Sequence, residues 1–452
     1  MAAQRTKILI IVQNLPVPLD RRVWLECQAL TRAGYRVSVI CPRGPGERAR
    51  EVIDGVALYK YRPAPEARGL LGFVIEFVYS WLRTAALSMT VRRERGFDVI
   101  QACNPPDTYW LLARLWRAFG TRFVFDHHDL NPELFISRFG EPRGPWARAE
   151  LAGLRWLERR TFRAADRVVA TNESYRRVAL TRGGVPSERT AVVRSGPDTR
   201  VMRPVRGHEH LTHGGHLLVY LGIMGPQDDV DVILRVTDEL VHRRGRTDVH
   251  VALLGFGDCL VDLQALSHSL ALDDVVEFTG RVGAPQIASY LSAASVGLCP
   301  DRDTPLNSRS TMNKTMEYMA YALPPVTFDL AETRVSAADT ALYVPSGNIE
   351  AFADAVELLL DDDELRTWMS LRARERVVGE LDWSPQATEY VHTFDSLTGH
   401  ASGPGPFVDP SPAIPADAVE ADALEAFVRA RGRAAPADRG PGGDSLGSRI
   451  AT

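Results

Sequence analysis

Neither GxGxxG nor GxxxxGK[ST] occurs in the 452 residues, which argues against the simple dinucleotide and P-loop proteins that those glycine patterns mark. Cysteine is scarce. The five present, Cys27, Cys41, Cys103, Cys259 and Cys299, are odd in number, scattered and without CxxC spacing, so neither a disulfide frame nor a zinc site is indicated and a reducing cytoplasm fits best. Long apolar runs are missing too. The opening MAAQRTKILIIVQNLP loses its apolar character at Asn14, too early for a secretory signal, and the most apolar region, Gly69 to Val91, contains Glu76 and Arg83 and fails as a membrane span. A net charge of -4 gives no reason to expect nucleic acid as a partner.

What is present is the makeup of a globular chain, 45% apolar and 24% charged, too long for one ordinary core. Lys7 to Val12 is a short continuous apolar run of the kind a buried parallel strand shows. A helix through Val23, Leu25, Ala29 and Leu30 follows, then a strand at Val37 to Ile40. Val99 to Gln101, a helix near Tyr109 to Phe119 and Phe123 to Phe125 repeat the alternation. A second unit has strands at Leu217 to Leu221, Val249 to Leu254, Val276 to Phe278, Val296 to Cys299 and Val326 to Phe328. Alternating strands and helices predict parallel α/β sheets, whose ligands sit beyond the strands' carboxyl ends. Residues 190–204, with SGPD and little periodicity, read as the linker, and hinges are expected near Ser195 to Asp198 and before Trp383.

The residues past those ends are therefore informative. In the first unit they are polar: Asn14, then Asn104 and Asp107 in CNPPD, then Asp126, His127, His128 and Asp129 in DHHDL. A loop histidine beside an aspartate is more often a surface or capping residue than a catalyst, but three polar loops at one sheet edge raise the standing of a site. In the second unit the same places carry Gly222, Gly225, Gly255, Gly257, Gly280 and Arg281, and glycines there let a backbone approach a phosphate or base.

Asn307 to Glu332 predicts an amphipathic helix, with Met312, Met316, Met319, Ala320 and Leu323 on its apolar side, Ser310 as N-cap, and Pro324 and Pro325 as the stop. Asn313 and Lys314 fall in its first turn, where the helix dipole disfavours a cation unless an anion binds there. Lys314 paired with Glu317 on a solvated surface explains the spacing as well. Asp301-Arg302-Asp303 is the only carboxylate-rich stretch with the look of a metal site, and it reads as a loop.

Leu70, Phe73, Val74, Phe77, Val78, Trp81 and Leu82 make a wide apolar stripe followed by Arg92, Arg93 and Arg95, which suits either a helix on a sheet or one lying on an anionic membrane. From His400 onward the chain, with GPGPFVDPSPAIPAD and RGPGGDS, reads as a disordered low-complexity tail holding one short helix, Asp417 to Arg431.

Two α/β halves, glycine turns in the second, and the blocks YLGIMGPQDDVD, STMNKTMEYMA and FDHHDLNPEL together resemble the GT-B glycosyltransferases, in particular glycosyltransferase family 4, over Lys7 to Leu397. The resemblance implies two Rossmann-like domains facing across a cleft: residues 1–198 on the acceptor side, 199–382 for the donor, 383–399 crossing back onto the first domain, and 400–452 as the tail. It implies retaining transfer from a nucleotide sugar to a glycan or lipid-linked acceptor in surface polysaccharide or glycolipid synthesis, without cofactor or metal. Cytoplasmic residence with peripheral contact to an anionic membrane is expected. Carried over by position, Glu317 meets the nucleotide ribose, Lys314 and Asn313 the diphosphate, and Glu332 a second donor contact. Gly222, Gly255, Gly257 and Arg281 cradle base and phosphates, while His128, with Asp129, lies at the donor sugar. Asn14, Asn104, Asp107 and His127 fall to the acceptor side. The chain departs from the family pattern at Arg309, where a glutamate is usual, at Ile223 and Asp228, where a cationic pair is usual, and at LPVPLDRR after the first strand. A GT-B nucleotide-sugar 2-epimerase and a non-catalytic nucleotide-sugar-binding relic are the alternatives.

Overall fold

The structure is a computed structural model that describes residues 5–64 and 69–431, with the side chains of 69–74 outside that description. Leu70, Phe73 and Val74 of the expected stripe, and the RGPGGDS stretch, therefore lie outside the described side chains.

The first sheet comprises β1 (Lys7–Ile11), β2 (Arg36–Pro42), β3 (Arg50–Ile53), β4 (Val56–Tyr61), β5 (Val99–Cys103), β6 (Arg122–His127), β7 (Arg167–Ala170) and β8 (Thr190–Val192), in the order β3-β4-β2-β1-β5-β6-β7-β8. All its pairings are parallel except the β3–β4 edge. The second sheet comprises β9 (His216–Ile223), β10 (Val249–Phe256), β11 (Val276–Gly280), β12 (Val296–Cys299), β13 (Pro325–Phe328) and β14 (Leu342–Val344), in the order β11-β10-β9-β12-β13-β14, wholly parallel. Both sheets are covered on both faces, which is why their central strands read as unbroken apolar runs. In β1, Ile8 and Ile10 join one core while Leu9 and Ile11 join the other.

Thr190–Val192 pairs with β7, so the first three residues of the expected linker belong to the sheet. The two chain passages between domains touch: a Cβ on Gly196 would run into the Leu381 carbonyl, and Trp383 N donates to Pro197 O at 3.0 Å. Asp382 caps helix Trp383–Thr398 and also takes Thr199 Oγ1 at 2.7 Å. That helix buries Trp383, Ala387, Tyr390, Val391, Phe394 and Leu397 in the first domain's core beside Val23, Cys27 and Leu30.

The expected disordered tail differs from the structure over 400–431. Phe407 and Val408 are buried in the first domain's core, Val419 N donates to Pro204 O at 2.8 Å, and helix Leu424–Ala430 packs on helix Asp363–Glu380. Arg431 donates to Ala322 O and Tyr321 O at 2.8 and 2.9 Å. Widely spaced apolar anchors hold this proline-rich stretch, so its composition hides a strap that reaches from one domain to the other.

Candidate functional site

β6 ends in Asp126 and His127, and successive strand residues face opposite sides. Phe125 and His127 turn inward together: the His127 ring lies 5.1 Å from both Phe162 and Tyr175, and burial, with Arg182 nearby, pushes its pKa down to about 3. His127 is thus a core residue, a correction to its expected place on the acceptor side. Asp126 and His128 take the other side, with Asp126 Oδ2 2.7 Å from His128 Nε2.

Asn104 and Asp107 are also buried and act on this loop from behind. Asn104 Oδ1 accepts from the backbone N–H groups of His128 and Asp129 at 2.7 and 3.1 Å, and its Nδ2 donates to Asp129 O at 2.7 Å. Asp107 accepts from Asn104 and Asn131, and burial pushes its pKa up to about 7. Both were expected on the acceptor side and instead shape the turn that presents His128. Asn14 is exposed past β1.

Sequence reasoning missed Arg22. It follows the Asp20 N-cap on helix Arg21–Arg32 and is buried, donating to Asp126 Oδ1 at 3.1 Å, Val193 O at 2.7 Å and Ser195 Oγ at 3.0 Å. Its Nε lies 3.0 Å from Glu26 Oε1, and Gln101 Nε2 donates to Glu26 and Asp126 at 2.9 Å each. Burial would raise the Asp126 carboxyl, but His128 and Arg22 outweigh it and hold it well below the usual range. Burial would lower His128, and the Asp126 carboxylate reverses that, so the imidazole is raised. The Arg22 Nε–H also points at His128 Nε2, at 3.1 Å, so the imidazole nitrogen sits between the guanidinium and Asp126. Burial beside Asp126 pushes Glu26 up to about 8. Glu26, Cys103, Asp126 and His128 bring potential ligand atoms within 4.8 Å of one another, but Arg22 already supplies the positive charge there.

In the second domain, helix Asn313–Ala320 begins two residues later than expected, with Met312 as N-cap and no side-chain cap bond. Ser310 instead donates to Leu306 O at 2.9 Å and meets Tyr175 Oη at 3.0 Å. Lys314 is neither solvated nor paired with Glu317. Its Nζ donates to Asp301 Oδ1 at 2.6 Å and stands 5.2 Å over the Tyr220 ring. Burial would lower the ammonium pKa, and Asp301 holds it raised. Asp228, half-buried near the pair, is pushed up to about 6 by desolvation. Gly222 leaves room here, since a Cβ would meet Tyr220 Oη at 2.8 Å and approach Lys314 Cε to 3.5 Å. A Cβ at Gly255 would strike the Gly222 carbonyl. At Gly257 it would stand 2.6 Å from Met224 O.

The domains meet through charged and polar pairs. Glu317 binds Arg21 at 2.6 Å, and Glu332 accepts from Ser174 Oγ at 2.6 Å, so both expected donor contacts hold first-domain side chains in this state. Arg309, which replaces the usual glutamate, binds Glu133 at 3.0 Å, and Asn172 Nδ2 donates to Arg309 O and Thr311 Oγ1 at 2.8 and 2.9 Å. Arg281 is exposed, over the Phe256 ring at 5.7 Å.

A cavity of about 260 Å³ lies at this junction, lined from the first domain by Asp20, Arg22, His128, Asp129, Thr171, Tyr175 and Ser195, and from the second by Ser310, Thr311 and Asn313. Of the expected site residues, His128, Asp129 and Asn313 meet there, with Lys314 buried one residue on. Arg281, Asn14 and His127 do not line it. The spacing DxH at 126–128 and the i, i+4 pair Arg22/Glu26 were the available signals for the missed residues.

Residues 19–196 match the family model described as a glycosyl transferase 4-like domain, and residues 215–362 match that of glycosyl transferases group 1. The D-inositol 3-phosphate glycosyltransferase of Kineococcus radiotolerans is 26% identical over 81% of this chain and 87% of its own length. Among solved structures, sucrose-phosphate synthase from Thermosynechococcus elongatus superposes with a TM-score of 0.71 at 17% identity, covering 88% of this chain and all of that one. Anabaena HepE in complex with UDP-glucose gives 0.66 at 14% identity over 87% of this chain and all of its own. At these identities the structural likenesses speak for the shared two-domain fold.

Proposed function

We infer that this chain, which belongs to the GT-B glycosyltransferases of the family 4-like and group 1 type, moves a sugar from a nucleotide-sugar donor to a glycan or lipid-linked acceptor with retention, in surface polysaccharide or glycolipid synthesis. The observation that carries this reading is the interdomain cavity, where a carboxylate-oriented His128 from one sheet edge meets the start of the Lys314 helix from the other. The donor diphosphate lies over Gly222 and the helix N-terminus. Lys314 has three N–H donors, of which Asp301 uses one, so the ammonium serves both carboxylate and phosphate.

The reaction breaks the bond from the anomeric carbon to the diphosphate oxygen and forms one to the acceptor hydroxyl oxygen. The released phosphate oxygen takes the acceptor's proton. His128 and Asp129 orient the sugar, and Glu317 and Glu332 exchange their first-domain partners for donor hydroxyls, acceptors well suited to a diol. No divalent ion is required, because the fixed ammonium and backbone N–H groups supply positive potential where charge develops. The acceptor reaches the cleft at an anionic membrane surface, on the side where Phe77, Val78 and Leu82 of helix Gly69–Glu94 are exposed.

The test is a panel of labelled nucleotide sugars, UDP-glucose first, incubated with protein, chelator and lipid or glycan acceptors, with products resolved by mass and anomeric configuration. Transfer with retained configuration is expected. Interconversion of free nucleotide sugars, or turnover that needs added Mg²⁺ or Mn²⁺, contradicts the reading.

A further inference from the structure

Helices Gly69–Glu94, Trp110–Arg117 and Pro145–Ala164 lie side by side over one face of the first sheet. Trp116 Nε1 donates to Ser88 Oγ at 3.1 Å between the first two, and the Trp110 and Trp156 rings meet at 6.1 Å between the last two. Their outer side is unusual for a surface. Large apolar groups stand free on all three, among them Leu82, Leu115 and Trp156, and Trp146 is 87% exposed.

Arginines alternate with them. Arg114, Arg117, Arg160 and Arg163 surround a hollow of about 340 Å³ beside Trp110, and Arg148, Arg155 and Arg159 line a second of about 390 Å³ on the same long helix. Among the described residues only Arg117 of these seven has an acidic partner within ion-pair distance, Asp166 at 2.7 Å. Arg160 stacks over the Trp110 and Trp156 rings at 5.2 and 5.7 Å. A chain with net charge -4 thus gathers seven arginines around two hollows whose linings hold one carboxylate, Glu141. The basic run anticipated from sequence contributes less: Arg92 is spent on Phe97 O at 2.6 Å.

We propose that this three-helix face docks on an anionic phospholipid bilayer, with headgroup phosphates in the two arginine-lined hollows and Trp146 and Trp156 at the level where headgroups meet acyl chains. The proposal rests on the membrane side of the function inferred above and names its contact site. Guanidinium forks match phosphate oxygens, and amphipathic aromatic rings prefer the interface to either bulk phase. A polar partner would leave the exposed tryptophans unexplained, and a purely apolar one would leave the arginines so.

The experiment is vesicle flotation of the full chain at low salt, with phosphatidylcholine alone and with about one third phosphatidylglycerol, where each basic residue near the surface contributes a few-fold. The protein is expected to float with the anionic vesicles only and to be released by high salt. A quadruple variant, Arg114→Gln, Arg155→Gln, Arg159→Gln and Arg163→Gln, is expected to partition on the order of a hundredfold less, with unchanged Tm and unchanged transfer to a water-soluble acceptor. Trp146→Ala, on a side chain too exposed to matter for folding, is expected to weaken partitioning several-fold. No flotation of the parent overturns the membrane reading as a whole while leaving transfer to soluble acceptors standing. Flotation of the parent that neither variant weakens overturns this face alone. Binding to a DNA duplex as tight as to the anionic vesicles overturns the bilayer as its occupant.

Discussion

Each domain buries a cation against a carboxylate at the carboxyl edge of its sheet, and the two sites differ in how firmly that cation is fixed. Arg22 makes hydrogen bonds or ion pairs to Asp126, Glu26, Val193 and Ser195, and Gln101, held in turn by Tyr390 of the crossing helix, ties the two carboxylates together. Lys314 has one short contact, to Asp301, plus the Tyr220 ring and the nearby Asp228. A planar fork with five donors suits a permanent brace, while a compact ammonium on a flexible stem suits a group that shares itself with an incoming phosphate. The first cluster therefore reads as a scaffold that aims His128, the second as a contact waiting for an anion.

Breaking the brace should cost most. Arg22→Met leaves Asp126 buried without its fixed cation, and stability should fall by about 3–5 kcal/mol, the cost of orphaning one partner of a buried pair. Activity should go with it, and denaturant unfolding measures the loss. Adding Asp126→Asn to Arg22→Met should restore much of the stability and little of the turnover, which separates charge burial from the aiming of His128.

Lys314→Ala tests the other cluster. With donor bound, kcat/KM should fall by roughly two to three orders of magnitude, the scale of one preorganised electrostatic contact, and Lys314→Arg should recover only part. A Lys314→Ala variant as active as the parent would remove the phosphate role altogether.

How far the sequence revealed these sites follows from the physics of each. Buried parallel strands such as β1, β9 and β10 announce themselves as apolar runs, and His128, Asp129 and Asn313 stand out as polar residues just beyond strands or at a helix start. The β3–β4 edge did not, because Arg50–Ile53 is antiparallel and half exposed. Arg22 and Asp126 lie 104 positions apart and come together only once the chain between them folds, and nothing in either local pattern says so. His127 and His128 look alike as neighbours; the period of two shared with Phe125 is what assigns one to the core. Residues 400–431 deceive by composition, since Phe407, Val408 and Val419 are too far apart to form a periodic signal.

A subtler way to sharpen the comparison is pH. Glu26 has its folded pKa raised to about 8, against an ordinary carboxylate value when unfolded, so the folded state holds a proton that the unfolded chain releases. Its contribution is fully present below the unfolded pKa, near 4.5, and is lost as pH rises toward about 8. The raised His128 adds loss in the same direction as pH climbs past the ordinary imidazole range. Glu26→Gln should therefore flatten the fall of Tm with pH between about 5 and 8, seen by calorimetry. Equal slopes in parent and variant would place the ionisation elsewhere.

The smallest effect should come from the bridge between domains. Arg21→Ala removes a partly exposed partner of Glu317 and should cost no more than about 1 kcal/mol of stability. It should shift the cleft toward open forms, detected as a larger radius of gyration before nucleotide is added.

The division of labour between the two clusters is tested most directly by measuring nucleotide-diphosphate affinity and turnover side by side in His128→Ala and Lys314→Ala, with chelator present throughout. His128→Ala should bind UDP, or whichever nucleotide the donor panel identifies, as the parent does and yet turn over poorly, whereas Lys314→Ala should lose both binding and turnover. Equal loss of nucleotide affinity in the two variants, or full turnover in either, would contradict the account.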